Sequence, residues 1–324
     1  MRADLDALPR DWISLPSARR VLTGAGISCE KIDVLEVYAG SARWTRACEA
    51  AMLRTVAAAP APQAATAAQP AAAAASSSAV GGAAPQATTA AQWPSQPAAA
   101  AAAVAASHGV DILGGDQWDL TMEGARRLLW AVVVVCAPAW VHSGFPCTLW
   151  STLAHITSKA TIAEEEESRE CALPHVILTC QLALWQHKKG YHVSFENPPS
   201  ARSWTLDIVK NTVAAIGADT YKADSCAWGH VDPVSGKPVK KEQCVASTAC
   251  LSSLRRRCTC YSGPGRCPSG IHQVVDGCFV MPLAVGDTFF VGGKRIKRSR
   301  WAGAYPEGFC RAWAQVVRAS IAGM

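Results

Sequence analysis

The 324-residue chain has no long apolar run. Its longest, Leu128 to Val141, covers 14 residues, short of the roughly 20 that a helix needs to cross a bilayer. No membrane partner is expected. The segment Met1 to Trp12 carries Asp4, Asp6 and Asp11 and lacks an apolar core, so it is not expected to be a secretory signal. The mean hydropathy of +0.10 reflects alanine content. Cysteine is sparse for a disulfide scaffold, with 14 in the whole chain. Reduced thiols are therefore expected, in an intracellular and more specifically nuclear setting, as packing groups, metal ligands or nucleophiles.

Residues 57–106 are almost all Ala, Pro, Gln, Ser, Thr and Gly. They have no apolar periodicity and several prolines, and they read as a disordered insertion. The remaining 274 residues suit one elaborated domain. Charge is uneven within a net +6. Residues 224–324 hold 14 Lys and Arg against 6 Asp and Glu, whereas the first 223 hold 17 against 19. A basic C-terminal third suits contact with a phosphate backbone, and equally a solvated face.

Residues 1–31 read as an irregular lead-in, with Val21-Leu22-Thr23-Gly24 as a glycine turn. A strand at Asp33–Tyr38 turns through Ala39-Gly40 into a helix to about Arg54. After the insertion come a strand at Gly109–Ile112, a helix at about 121–134 capped by Thr121, and a strand at Ala139–Ser143. A long helix is expected near 163–187, with Glu164 to Glu167 as its exposed start. A strand at Tyr191–Phe195, a helix at about 204–216 and a strand at Thr220–Ala223 follow. This alternation predicts an α/β, doubly wound, Rossmann-like sheet over residues 32–245. Residues 246–324 are expected to form a small irregular, basic, Cys-rich extension with a final helix. In such sheets ligands sit outside the carboxyl ends of the strands.

The unusual peptides fall at those ends. In Tyr38-Ala39-Gly40-Ser41-Ala42 the glycine lets a ligand approach backbone at a helix N-terminus. Asp111 lies 71 residues beyond Gly40, which becomes 21 once the insertion is removed, close to the spacing at which an acid binds ribose hydroxyls. Cys147 ends the next strand in Phe145-Pro146-Cys147, where a thiol is placed for chemistry, whereas Cys136, Cys171 and Cys180 are expected to pack. Glu196 ends the strand after that, in Phe195-Glu196-Asn197-Pro198, as a candidate acid.

The series Y-A-G-S-A, G-V-D, W-D-L-T, F-P-C-T-L-W-S and F-E-N-P resembles the DNA cytosine-5 methyltransferases, and in particular divergent methyltransferase-like modules of dinoflagellate polyproteins. The likeness runs from about Asp33 to Ser200. It implies S-adenosylmethionine held by Tyr38, Gly40, Ala42 and Asp111, with Asp119 on its adenine. It also implies Cys147 as nucleophile and Glu196 on a flipped cytosine. Carbon 5 of cytosine is too poor a nucleophile to be methylated directly, and thiolate addition at carbon 6 activates it. DNA is the implied partner, and RNA is the other nucleic acid that fits. Two alternatives accompany this reading. One is a methyltransferase-fold nucleic-acid-binding module without catalysis. The other is an amino methyltransferase using Asn197-Pro198-Pro199.

Cys258, Cys260, Cys267 and His272 form C-x-C-x6-C-x4-H, four ligands that suit a structural zinc. Lys240, Lys241, Arg255, Arg256 and Arg257 are candidate phosphate contacts, and the basic run Lys294 to Trp301 suits the same role or nuclear import. Because the Ala-rich tract has no core pattern, replacing residues 57–106 with a short Gly/Ser linker is expected to leave the melting temperature nearly unchanged. A calorimetric scan of the two proteins checks this.

Overall fold

The computed structural model describes residues 5, 8–27, 32–37, 43–51, 53, 119–145, 147, 149–150, 161–233, 236, 238–258 and 303–324, with backbone alone at 240, 273–274, 288–291 and 294–297. The architecture is mixed α/β. Five strands form one open sheet: β1 (Val34–Val37), β2 (Trp140–Ser143), β3 (His192–Asn197), β4 (Asp219–Asp224) and β5 (Glu242–Ser247). Their order is β1-β2-β3-β5-β4. The first three are mutually parallel, and β5 runs antiparallel to both β3 and β4. The expected sheet was parallel throughout and lacked β5. That strand is hard to read because its apolar part is only Cys244-Val245-Ala246, between Gln243 and Ser247. The expected domain limit at residue 245 falls inside β5.

Alternation along the strands sends side chains to two faces. On one face Val34, Trp140 and Val245 pack against α2 (Arg43–Ala50) and a late helix, α6 (Glu307–Ala322). Trp44 and Trp313 meet there with ring centres 5.2 Å apart. On the other face Leu35, Val37 and Val141 pack against α3 (Glu123–Cys136). Val193, Phe195 and Ala246 pack there against α4 (Ile162–Lys188) and α5 (Asp207–Ala215). Helices thus cover both faces. The late helix, expected in a separate extension, forms part of the central core.

The lead-in also departs from expectation. Residues Leu15–Gly24 form a helix, α1, opened by Pro16 and burying Ala18 and Leu22 at i,i+4 spacing against α3. Val21 to Gly24 is the last turn of that helix, and the expected glycine turn follows it at Ala25-Gly26, with Gly26 at φ 67°. At α3, Thr121 is not the cap. The N-cap is Met122, and Thr121 hydrogen-bonds Asp119 Oδ1 through both its N–H and its hydroxyl. Helix α4 matches the expected span and starts in a capping box between Thr161 and Glu164. Its second acid, Glu165, is buried rather than exposed and pairs with the buried Arg169 at 3.1 Å. Cys136 and Cys180 are buried as expected, whereas Cys171 is exposed.

These contacts rank two substitutions. Trp313→Ala removes a fully buried ring from the α2–α6 layer and is expected to cost about 3–5 kcal/mol. Thr161→Ala removes one cap and is expected to cost about 1 kcal/mol. Urea denaturation of both variants checks the order.

Candidate active site

Strand register places polar side chains inside the sheet. Glu36 pairs with His142 across β1 and β2, and His142 pairs with Ser194 across β2 and β3. All three are buried and lie on the face that α2 and α6 cover. Such groups need partners, because an unpaired buried polar group costs about 1–3 kcal/mol. Glu36 Oε2 accepts from the Thr45 N–H at 3.0 Å and from the Thr45 hydroxyl. Trp140 Nε1 donates to Ser194 Oγ at 2.8 Å, and Ser194 Oγ lies 3.1 Å from His142 Nδ1. His142 Nε2 is 3.2 Å from the hydroxyl of Tyr305, which donates to Glu196 Oε2 at 3.0 Å.

The proton positions follow from counting donors. With Glu196 ionised, the Tyr305 hydroxyl proton is committed to that carboxylate. The phenol oxygen then accepts from His142 Nε2–H, and His142 Nδ1 accepts from the Ser194 hydroxyl. Burial drives the His142 pKa down to about 3, so the ring is neutral. Burial raises the Glu196 carboxyl above the ordinary carboxylate range, with Lys241 and the Tyr305 hydrogen bond acting in the opposite direction. Glu196 Oε1 is buried with no partner among the described residues.

Cys147 follows β2, and Glu196 stands near the end of the adjacent β3. Asn197 ties the two ends together, its Nδ2 donating to Phe145 O at 3.3 Å and to Glu196 O at 2.8 Å. Arg169 Nε donates to Leu149 O at 3.2 Å, and Arg202 N donates to Trp150 O at 2.7 Å, fixing the turn beyond Cys147. Burial raises the Cys147 thiol pKa. Lys241 lowers it, and the Glu196 charge raises it further. Cys147, Glu196 and Lys241 therefore lie within electrostatic reach of one another. Lys241 Nζ also donates to Gly303 O at 2.9 Å. The arrangement offers a thiol, a buried carboxyl with one unpartnered oxygen, and a cation within electrostatic reach of both.

Other expected site residues divide. Tyr38, Gly40, Ala42, Asp111, Cys260, Cys267, His272 and the Ala-rich tract lie outside the described residues, as does the side chain of Lys240. Asp119 is half-exposed before α3 and engaged by Thr121. The three arginines are held by the protein itself. Arg255 Nη2 donates to Thr220 O at 3.1 Å, with its guanidinium 4.8 Å from the Tyr221 ring centre. Arg256 lies 3.9 Å over the Trp228 ring. Arg257 pairs with Asp224 at 3.4 Å and with Glu242. Cys258 donates its N–H to Asp224 Oδ2 at 2.6 Å. Its thiol adjoins Cys226, whose own thiol is pushed up to about 12, first by burial and then by Cys258. Among the described residues no group of three or more His, Cys, Asp or Glu is placed to hold a metal. In the Asn197-Pro198-Pro199 turn, the Asn197 amide nitrogen is committed to backbone carbonyls, and Pro198 O accepts from Trp204 Nε1 at 2.9 Å.

Sequence reading missed Glu36, His142, Ser194 and Tyr305. The strand His192-Val193-Ser194-Phe195-Glu196 does alternate polar and apolar residues, a signal that one face carries polar side chains. No protein-family model matches the chain, and no curated protein matches it.

The neutral His142 has a pH consequence. Its folded pKa lies below the unfolded value of about 6.5, so the unfolded chain binds the extra proton and stability falls as pH drops from about 6.5 toward 3. Urea midpoints measured at pH 7 and pH 5 are expected to fall less in His142→Gln than in the unsubstituted protein.

Proposed function

We propose that the chain is an S-adenosylmethionine-dependent methyltransferase acting on nucleic acid, at carbon 5 of cytosine in DNA, with a Rossmann-like sheet as its scaffold. A nuclear setting follows from that substrate. The observation that carries the reading is the convergence of Cys147, Glu196 and Lys241 at the carboxyl ends of two adjacent parallel strands, where ligands of open α/β sheets bind.

S-adenosylmethionine supplies an electrophilic methyl group when bound. Of the residues proposed to hold it, Asp119 is described, and it fits. Its Oδ1 is engaged by Thr121, and Oδ2 has no hydrogen bond among the described residues, leaving an acceptor for an exocyclic amine. Tyr38, Gly40, Ala42 and Asp111 complete the proposed set.

The chain's own residues then divide the work. The cytosine leaves the base stack to reach Cys147 and Glu196. Lys241 favours the thiolate of Cys147, and the sulfur forms a bond to carbon 6 of the ring. Burial favours the protonated form of Glu196, and in that form it would hydrogen-bond ring nitrogen 3 through Oε1 and stabilise the charge that addition places there. Tyr305 holds Oε2 and fixes the carboxyl plane. With the cofactor bound, carbon 5 would take its methyl group and S-adenosylhomocysteine would leave; loss of the carbon 5 proton to a base would then let the sulfur–carbon 6 bond break and return the Cys147 thiolate. Zinc on Cys258, Cys260, Cys267 and His272 belongs to the same proposal as a structural staple and takes no part in these steps.

A second reading, a nucleic-acid-binding module without catalysis, is favoured by one observation. Burial holds the Cys147 thiol in its protonated form, which is the weaker nucleophile.

Trapping separates the two. A 5-fluorocytosine oligonucleotide with S-adenosylmethionine is expected to give a covalent adduct with the unsubstituted protein and none with Cys147→Ala, which keeps its cofactor affinity. Because Lys241 lowers the thiol pKa, Lys241→Met is expected to move the rise of the pH–rate profile to higher pH. Nucleic-acid binding with neither adduct nor cofactor affinity would leave the binding module. Transfer by Cys147→Ala would instead direct attention to Asn197-Pro198-Pro199 and an exocyclic amine.

A further inference from the structure

Helices α2 and α6 flank a cleft of about 190 Å³ lined by Arg43, Arg46, Ala47, Glu307, Cys310 and Arg311. Ala47 and Cys310 are small and uncharged. Cys310 is buried, and burial, followed by the charge on Glu36, raises its thiol so that it stays protonated. The charged lining is three guanidinium groups against one carboxylate, a surplus of two positive charges.

That surplus works against the packing of the helices. Arg43 and Arg46 stand three residues apart on one helix face, where like charges repel. Arg43 is half-buried, and its pKa is lowered first by desolvation; Cys310 and Glu307 oppose that, and Arg46 adds a smaller lowering. Arg46 and Arg311 are exposed and make no hydrogen bond or ion pair among the described residues. Three cationic forks around a small concavity complement a tetrahedral oxyanion, which accepts several charge-assisted hydrogen bonds at once. The volume suits one phosphate group with a few waters, at about 30 Å³ per water, and is too small for a nucleoside.

The cleft also connects to the proposed site. Arg43 Nη1 donates to the backbone oxygen of Tyr305 at 3.1 Å, and the hydroxyl of the same Tyr305 donates to Glu196. One tyrosine thus separates the arginine cleft from the carboxyl that faces the base. We infer that the Arg43, Arg46 and Arg311 cleft is a phosphate site that seats a backbone phosphate of the nucleic-acid substrate. The choice of nucleic acid as the source rests on the function proposed above. The phosphate chemistry rests on the cleft alone.

The test uses the full chain and the double variant Arg46→Ala/Arg311→Ala, both positions being exposed. Arg127→Ala serves as a control, since Arg127 pairs with Asp11 elsewhere on the surface. In one arm, duplex DNA binding is followed by fluorescence anisotropy across a salt series. In the other, inorganic phosphate is added at constant ionic strength and the melting temperature is read. The double variant is expected to lose one phosphate contact, lowering the magnitude of the log–log salt slope by about 0.9. It is also expected to lose the phosphate-induced rise in melting temperature, while Arg127→Ala keeps both. A double variant that matches the unsubstituted protein in both arms overturns the inference, even if DNA is bound and methylated. A protein that never binds DNA but shows phosphate stabilisation abolished by the double variant upholds the phosphate site. That result overturns both its assignment to a nucleic-acid backbone and the proposed function.

Discussion

The hydroxyl of Tyr305 is the contact on which the site depends. The sheet carries His142 and Ser194 in its buried interior, and Glu196 near the carboxyl end of its central strand. Ser194 bonds to Trp140 and His142 on the neighbouring strand, whereas His142 Nε2 and Glu196 Oε2 look to Tyr305 for a partner. Tyr305 closes the series by lying between His142 Nε2 and Glu196 Oε2. Without it, His142 Nε2 and Glu196 Oε2 would each lose a partner in a dry layer. A half-satisfied buried network is less stable than an apolar core of the same shape. The docking of α6 therefore does two things at once. It buries Phe309 and Trp313 against α2 and the sheet, and it delivers the phenol that lets the sheet keep its polar groups.

The environments of Cys147 and Glu196 follow from the same geometry. Both groups are raised by burial, so their surroundings favour the neutral forms. Lys241 opposes that trend for both. Its position is set by β5, the strand that runs antiparallel between β3 and β4, because Lys241 immediately precedes Glu242. An all-parallel sheet would lack that return strand and the cation it carries to the carboxyl end of β3.

The sequence made part of this legible. Strand-end placement of Cys147 and Glu196 could be read from short apolar runs that stop at Pro and Asn, because breakers mark strand ends locally. Helix α4 could be read from its length and its Thr161–Glu164 cap. Helix α1 escaped because Ala18 and Leu22 are its only buried positions, too few to stand out as a period. Tyr305 escaped for a different reason. It lies 109 residues from Glu196 in a segment with no pattern of its own, and only the packing of α6 brings it near. The arginine run at 255–257 shows the reverse case. It reads as a free basic surface, yet each guanidinium is held by Tyr221, Trp228 or the Asp224–Glu242 pair.

The layer formed by α2 and α6 also constrains the order of assembly. Arg43 and Tyr305 are 262 residues apart in sequence, and the Trp44–Trp313 contact spans a comparable distance. During synthesis, β1, β2 and β3 and the helices on the opposite face are complete long before residues 303–322 emerge. For that interval one side of the sheet, including Trp140 and the polar row, is covered by α2 alone. Contacts of such long range close late and slowly, and exposed apolar surface in the meantime invites association with other chains. The nascent protein therefore needs its late helix to complete that layer for folding as much as for the site, and a ribosome that stalls before residue 303 would release a sheet with one face only partly covered by α2.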